Sequence, residues 1–277
     1  MAKKENKAQH IINATLKVKH KEYITPHYLR ITLTGADVPL FAAATVGENN
    51  KIFIPPVGVN EIHFPTFENG KWSYPDAAVS PAVRTYTHRG IDLEKKEMYI
   101  DFVAHGDNGP ASAWAMQAEE GAILGIAMYG LKTELYPQAD WYLLAGDATA
   151  IPVISAIMED LPDSAKGVVH ILVESPREIQ TIYTRSKIVV NWHFYDAALQ
   201  NTILEDRVRE TTLPETGASR FAYIAAEFSA VKAIRNYLRK EQNWNREELY
   251  AYSYWKFGTT EDQSAIERRE EHQSIPN

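Results

Sequence analysis

The chain of 277 residues contains no cysteine. That absence removes disulfides, thiolate zinc sites, a cysteine nucleophile and protein-held iron–sulfur clusters together, because each needs the sulfur atom. Any redox chemistry has to use a borrowed cofactor. Positive charge is also short: Lys and Arg total 29 against 36 for Asp and Glu, a formal net charge of −7. No broad basic surface is left for a phosphate polymer, so nucleic acid is not expected as a partner. Long apolar runs are missing as well. The longest candidate, residues 121–131, lies between Glu120 and Lys132, far short of the roughly 20 residues a membrane-spanning helix needs, so no membrane insertion is expected. The first ten residues carry charges with no apolar stretch behind them, which argues against a secretory leader and for a cytoplasmic protein. The nine histidines are scattered without i, i+4 pairs or carboxylate companions, so no protein-bound metal is expected. No G-x-G-x-x-G follows a strand pattern, so a nicotinamide fingerprint is lacking.

What is present is ordinary for a folded protein. Hydrophobic residues make up 45% and charged residues 23%, close to the globular average, and the length allows about two domains. The first half reads as β: Thr15 to Lys21 and Leu29 to Leu33 alternate apolar and polar residues. Further short runs follow at Lys51 to Ile54, Thr85 to Arg89, Met98 to Ala104 and Ala122 to Met128. Turn residues between such strands predict a closed antiparallel β-barrel.

From about residue 138 the rhythm changes to strand, turn, helix. The run Asp140 to Gly146 leads into Asp147-A-T-A-I-Pro152 and a helix over Val153 to Leu161. Strand patterns recur at Gly167 to Glu174, Ile188 to Tyr195 and Arg220 to Ala226, the last feeding a helix over Glu227 to Lys240 whose Phe228, Val231, Ile234 and Leu238 share one face. Alternation of this kind predicts a parallel sheet with ligands beyond the carboxyl ends of its strands. The expected domains are a barrel over 11–135, an α/β domain over 138–257 packed against it around a shared crevice, and an acidic tail or helix over 258–277.

Two segments carry groups suited to a cofactor. Arg84-T-Y-T-H-Arg89 sits on a barrel strand, where alternation places Arg84, Tyr86 and His88 on one face. An Arg beside a Tyr suits a ligand with a phosphate and a flat ring, since the guanidinium grips oxygens bidentately while the phenol stacks. Downstream, Asp101-F-V-A-H-G-D-N-Gly109-Pro110-A-S-A-Trp114 joins a strand to a short helix beginning near Ala111. Such a turn presents free N–H groups to a pyrophosphate, although a Gly-Pro turn and a lone His105 are as readily structural.

The strings R-T-Y-T-H-R, D-F-V-A-H-G-D-N-G-P-A-S-A-W-A, L-L-A-G-D-A-T-A-I-P and Y-W-K-F-G, in this order, resemble the siderophore-interacting protein family of FAD-containing ferric-siderophore reductases, within the ferredoxin–NADP reductase superfamily. The likeness runs from about residue 11 to residue 258. It implies a ferredoxin–NADP reductase-like architecture, an FAD-binding antiparallel barrel followed by an α/β domain of the nicotinamide-binding type. By position, Arg84, Tyr86 and Thr87 match the flavin-contacting strand. Asp101, Phe102, Val103 and His105 match the next FAD-binding segment, and Gly109, Pro110, Ala111, Ser112 and Trp114 match the phosphate-and-adenine segment. Thr149 and Ala150 match the turn facing the flavin from the second domain, and Tyr254 and Trp255 match an aromatic segment near the ring. The family's basic residues around the flavin mouth, which bind the anionic chelate, correspond to Lys51, Lys132 and Lys256.

The resemblance further implies FAD as cofactor, NADH or NADPH as electron donor, a ferric siderophore as substrate and reduced ferredoxin as a second possible donor. No side chain is expected to act as acid, base or nucleophile. Two departures stand out: Tyr129-G-L-K-T-E lacks the usual Pro and Arg, and Ala225-A-E-F-S replaces Ala-Gly-Glu while keeping Glu227. Glu174, Ser175 and Arg177 fall where NADPH and NADH would be told apart; Arg177 could accept a 2′-phosphate that Glu174 would repel. A general NAD(P)H-dependent flavin or ferredoxin-type reductase, and a siderophore-binding flavoprotein without catalysis, remain the alternatives.

Overall fold

The computed structural model describes residues 10–259 except 69–70, 108, 197–201 and 215–216. The chain divides into two compact units, the first ending at Leu135 and the second beginning at Tyr136, and each is taken by itself. Of the expected C-terminal tail, all but Gly258 and Thr259 lies outside the described residues.

The first unit is one antiparallel sheet of seven strands plus a hairpin. Its long opening strand, β1 (Ile11–Thr25), is shared between two partners: Ile11 to Lys17 pair with β9 (Ile123–Tyr129), and Lys17 to Thr25 pair with β2 (Tyr28–Thr34). Register shifts between Val18 and His20 and between Tyr23 and Thr25 mark where it bends. β3 (Asn49–Ile54) lies between β9 and β6 (Ala82–Thr87), while β8 (Glu97–Val103) lies between β2 and β7 (Gly90–Asp92), giving the order β6-β3-β9-β1-β2-β8-β7. The two ends of that order are one piece of chain. Between β6 and β7, His88 N–H donates to Glu48 O (2.8 Å) and Arg89 N–H donates to Tyr99 O (3.1 Å), so the segment leaves β3 and joins β8 within two residues. That seam curls the sheet into the expected barrel.

The interior is filled by the inward half of each alternation. Leu16, Leu29, Ile31, Leu33, Ile52, Met98, Ile100, Phe102, Leu124 and Ile126 are all wholly buried, and each such side chain contributes about 1.5–3 kcal/mol relative to exposure. α1 (Pro110–Gln117) adds Ala111 and Ala115 to the same core. A small hairpin, β4 (Thr66–Glu68) with β5 (Lys71–Ser73), is a separate two-stranded sheet.

The second unit carries a five-stranded parallel sheet in the order β12-β11-β10-β13-β14. β10 (Trp141–Asp147) leads through a 3₁₀ turn over Ala148–Ala150 into α2 (Ile151–Asp160); β11 (Lys166–Val173) and β12 (Val189–Phe194) follow on one side. α3 (Ile203–Glu210), β13 (Arg220–Glu227), α4 (Phe228–Asn236) and β14 (Leu249–Trp255) complete the unit. The central β10 and β13 are buried almost throughout, as their unbroken apolar runs require when both faces are covered. The helix expected through Lys240 gives way at Tyr237 to a π-helical turn over Tyr237–Glu241. Val231, Ile234 and Leu238 are buried as expected. Gly146 is obligatory near the end of β10: a Cβ there would meet the Ala150 side chain at 2.4 Å and Ala225 O at 2.6 Å.

Among the described residues, no helix is long and apolar enough to cross a membrane.

Candidate functional site

In the barrel, the cofactor-suited residues of β6 fall as alternation requires for part of the strand. Tyr86 packs its ring on Phe102 (centroids 4.5 Å apart), and Phe102 in turn faces Trp114 of α1 at 5.9 Å. Phe102 is wholly buried, whereas Arg84, Tyr86 and Trp114 keep part of their surface. This arrangement presents a rigid, supported phenol face with a guanidinium two residues away. Alternation breaks at Thr87, which is buried along with His88. Directly across from Tyr86 stands Asn50, 1% exposed, and its amide nitrogen and oxygen have no protein partner; the same holds for both ring nitrogens of His88. Neither was read as a site residue from sequence. Unpaired buried polar atoms are costly, so this face of β3 and β6 is built to meet something polar, an internal water or the polar edge of a ligand.

The segment after β8 divides between support and contact. The Asp101 carboxylate is buried and engaged: Arg30 donates from Nε (2.6 Å) and Nη2 (2.8 Å), and the Tyr28 hydroxyl lies at 3.2 Å. Arg89 Nε approaches to 3.7 Å. These bonds tie β2, β8 and the seam together, a structural use of the side chain. Val103 is half-buried, His105 is exposed, and the left-handed Gly106 (φ 81°) turns the chain back. Ser112 Oγ accepts the His105 N–H at 3.0 Å, fastening this loop to the helix. Gly109 precedes α1 and offers no side-chain cap, and Pro110, its first residue, has no N–H. Ala111 and Ser112 therefore carry the first-turn donors, the groups an anion at a helix start uses.

The three lysines take different positions. Lys51 is exposed, pairs with Thr85 in register and donates to its hydroxyl, on the strand face opposite Tyr86. Lys132 is exposed after β9. Lys256, in the second unit, lies over the Phe228 ring at 5.1 Å.

In the second unit, the turn after β10 is organised by Asp147. This buried carboxylate accepts from Thr149 N–H (2.9 Å) and hydroxyl, from Glu227 N–H (2.9 Å) and from the Trp255 indole (2.7 Å). Burial pushes its pKa up, against the pull of these hydrogen bonds. Thr149 is half-buried, while Ala150 is wholly buried behind the turn and shapes it from the inside. Tyr254 is half-buried, with its hydroxyl 3.4 Å from that of Tyr223. Asp147, Glu227, Tyr195 and Trp255 line one small cleft with Leu172, Leu204, Ala226 and Ala230. The hub role of Asp147 was missed from sequence, although a carboxylate immediately before a helical turn is an N-cap signature.

The histidines are less scattered in space than along the chain. His63 Nε2 lies 3.0 Å from Glu61, and His170 Nδ1 lies 2.9 Å from His193 Nε2. The Thr211 hydroxyl donates to Arg207 O and so accepts from His170 Nε2–H, which leaves His170 Nδ1 to accept from His193. His170 is thus neutral. Among the described residues, no group of three or more potential metal ligands occurs. Burial lowers the His88 pKa from 6.5 to about 4. The unfolded chain takes up this proton near pH 6.5 and the folded chain only near 4, so stability is whole above 6.5 and falls as the pH drops. The full span corresponds to on the order of 3 kcal/mol. Urea unfolding of the barrel unit is expected to show a loss of about 2 kcal/mol between pH 7 and pH 5 that His88→Leu largely removes; an equal pH slope in the variant would contradict the assignment.

The family described as siderophore-interacting FAD-binding domain matches residues 17–130, and that described as siderophore-interacting protein matches residues 139–258. The ferric vibriobactin reductase ViuB of Vibrio cholerae is 33% identical over 263 residues, covering 95% of this chain and 96% of that protein. Solved structures similar over nearly the whole chain include two siderophore-related proteins. One is the siderophore-interacting protein SipS from Aeromonas hydrophila, with TM-score 0.79, 29% identity and coverage of 95% of this chain and 98% of that one. The other is a siderophore utilization protein from T. fusca, with TM-score 0.80, 27% identity and coverage of 91% and 95%.

Proposed function

This chain belongs to the siderophore-interacting protein family, and on that premise we propose that it is a cytoplasmic FAD-dependent reductase of ferric siderophores, drawing electrons from NADH or NADPH. The observation that carries the reading is the supported Tyr86 ring beside Arg84, in the same unit as the uncapped start of α1 and within the stretch matched as FAD-binding. The residues fit the cofactor: a phenol face for a flat ring, a guanidinium and two helix-start N–H groups for phosphates, and unanswered polar atoms on Asn50 and His88 behind that face. Bound FAD would supply the conversion between two-electron hydride and the single electrons that iron accepts.

The chain's own part is to bind and steer. Hard oxygen ligands hold Fe(III) tightly and the softer Fe(II) poorly, so reduction releases the metal. The substrate is an anionic chelate, and Lys51, Lys132 and Lys256 are the cations we assign to attract it. As point charges they suit a bulky ligand better than a bidentate fork would. Asp101, Phe102 and Ser112 act from beneath, holding β8 and α1 in place.

The test is the visible spectrum of the purified protein, followed anaerobically by addition of NADH, NADPH or reduced ferredoxin and then a ferric siderophore. A flavin spectrum bleached by a nicotinamide and restored by the chelate is expected. A colourless protein that takes up no FAD would overturn the reading, and bleaching by ferredoxin alone would replace the donor. The Arg84→Ala, Tyr86→Ala double variant is expected to lose FAD affinity by at least about 100-fold, as two contacts of roughly 1.5 kcal/mol each imply, with its far-ultraviolet circular dichroism unchanged. Full FAD loading of that variant would refute the assignment of this face.

A further inference from the structure

Strand succession in the parallel sheet reverses between β10 and β13: from β10 the chain builds β11 and β12 to one side, then crosses to β13 and β14 on the other. Sheets of this kind bind ligands in the crevice beyond the carboxyl ends of the strands at that switch point, where helix N-termini offer N–H groups to phosphate. In this chain the two strands that flank the switch point end in Asp147 and Glu227, both buried, at 3% and 6% exposure. Each carboxylate caps the turn that follows it. Asp147 Oδ1 accepts the Thr149 N–H at 2.9 Å, and Glu227 Oε2 accepts the Ser229 N–H at the start of α4. Asp147 Oδ2 then spans the gap to the backbone N–H of Glu227 at 2.9 Å, and Glu227 Oε1 accepts from Phe257 N–H at 3.3 Å. The N–H groups that a pyrophosphate would use are already answered, and by negative charge. A separate group senses that field: the Tyr195 phenol, lining the same cleft, is pushed up by burial and then by Asp147, Glu174 and Glu227.

We propose that Glu227, acting with Asp147, is a specificity-determining residue that bars dinucleotide phosphates from the switch point, so that a nicotinamide donor is held weakly there and only by an uncharged end. This rests on the reading that the second unit meets a nicotinamide donor. The expected consequence is a donor affinity limited by repulsion rather than by missing contacts, improved by removing one charge at constant shape.

Glu227→Gln tests this: the amide oxygen keeps the Ser229 bond and the side chain keeps its length, and only the longer Phe257 N–H contact at 3.3 Å is given up to the NH₂ group. 1,4,5,6-Tetrahydro-NAD, whose ring is uncharged and which cannot reduce the flavin, is titrated into the full-length FAD-loaded protein by calorimetry at low and at high salt. Glu22→Gln, an exposed position in the barrel unit, serves as a control for net charge. Glu227→Gln is expected to bind this analogue roughly ten-fold more tightly at low salt, with a smaller gain at high salt where screening already weakens the repulsion. In reduction kinetics, KM for NADH is expected to fall with kcat little changed. Unchanged or weaker binding of the analogue, no measurable binding by either protein, or equal tightening in Glu22→Gln would each overturn the proposal. Failure of the reductase reading would show separately, as a wild-type flavin that NADH does not bleach.

Discussion

Replacing Arg30 by alanine is expected to cost the barrel unit about 3–5 kcal/mol, the range for stripping one partner from a buried ion pair. The Asp101 side chain is 1% exposed and receives two guanidinium hydrogen bonds at 2.6 and 2.8 Å from Arg30. Without them the carboxylate keeps the Tyr28 hydroxyl and an Arg89 nitrogen at 3.7 Å, too little to offset its desolvation. The comparison that isolates the cause is the pair Arg30→Met, Asp101→Leu, expected to recover most of the loss because no charge is then left buried. Urea unfolding monitored by hydrogen exchange in β8 measures both. A loss below about 1 kcal/mol in Arg30→Ala would mean that Arg89 closes on Asp101 and replaces the missing fork.

Asp147→Ala is expected to have an effect of similar size, about 3–5 kcal/mol, in the other unit. It leaves the N–H groups of Thr149 and Glu227 and the indole of Trp255 without their acceptor, and a buried donor left unpaired costs about 1–3 kcal/mol. Asp147→Asn is expected to recover little. Its amide can turn oxygen towards Thr149 or towards the Glu227 and Trp255 pair, and either choice sets NH₂ against a donor. Trp255 fluorescence during denaturation reads the release of its indole directly. Full recovery in Asp147→Asn would show that one side of the carboxylate is dispensable.

The fold was legible wherever period decided burial. β1 and β2 alternate, and β10 and β13 read as continuous apolar runs, so an antiparallel first half and a parallel sheet follow from side-chain direction. The missed elements have weak local signals. β4, β5 and β7 are three residues each, and α3 buries only Ile203, Leu204 and Val208. In β14 the Tyr250, Tyr252 and Tyr254 alternation was visible, but only its last two residues were read for chemistry. The site was legible as motif strings and opaque as contacts. No spacing rule places Arg30 on Asp101 or His170 on His193, since those meetings depend on strand register. The orphaned Asn50 amide is likewise a property of the packed barrel, because an Asn beside apolar residues in a strand reads the same whether or not its partner exists.

The division of β1 between β2 and β9 sets a timetable for the nascent chain. Its second half can pair with β2 as a local hairpin almost at once, but the residues from Ile11 to Lys17 must wait for Ile123 to Tyr129, nearly the whole unit later. At translation rates of 5–20 residues per second that wait is on the order of ten seconds. During it, an unpaired strand edge with Ile11, Ile12, Ala14 and Leu16 stands open to any other chain. Slower elongation ahead of residue 123 should therefore lower the soluble yield, while a helper that shields the first twenty residues should raise it.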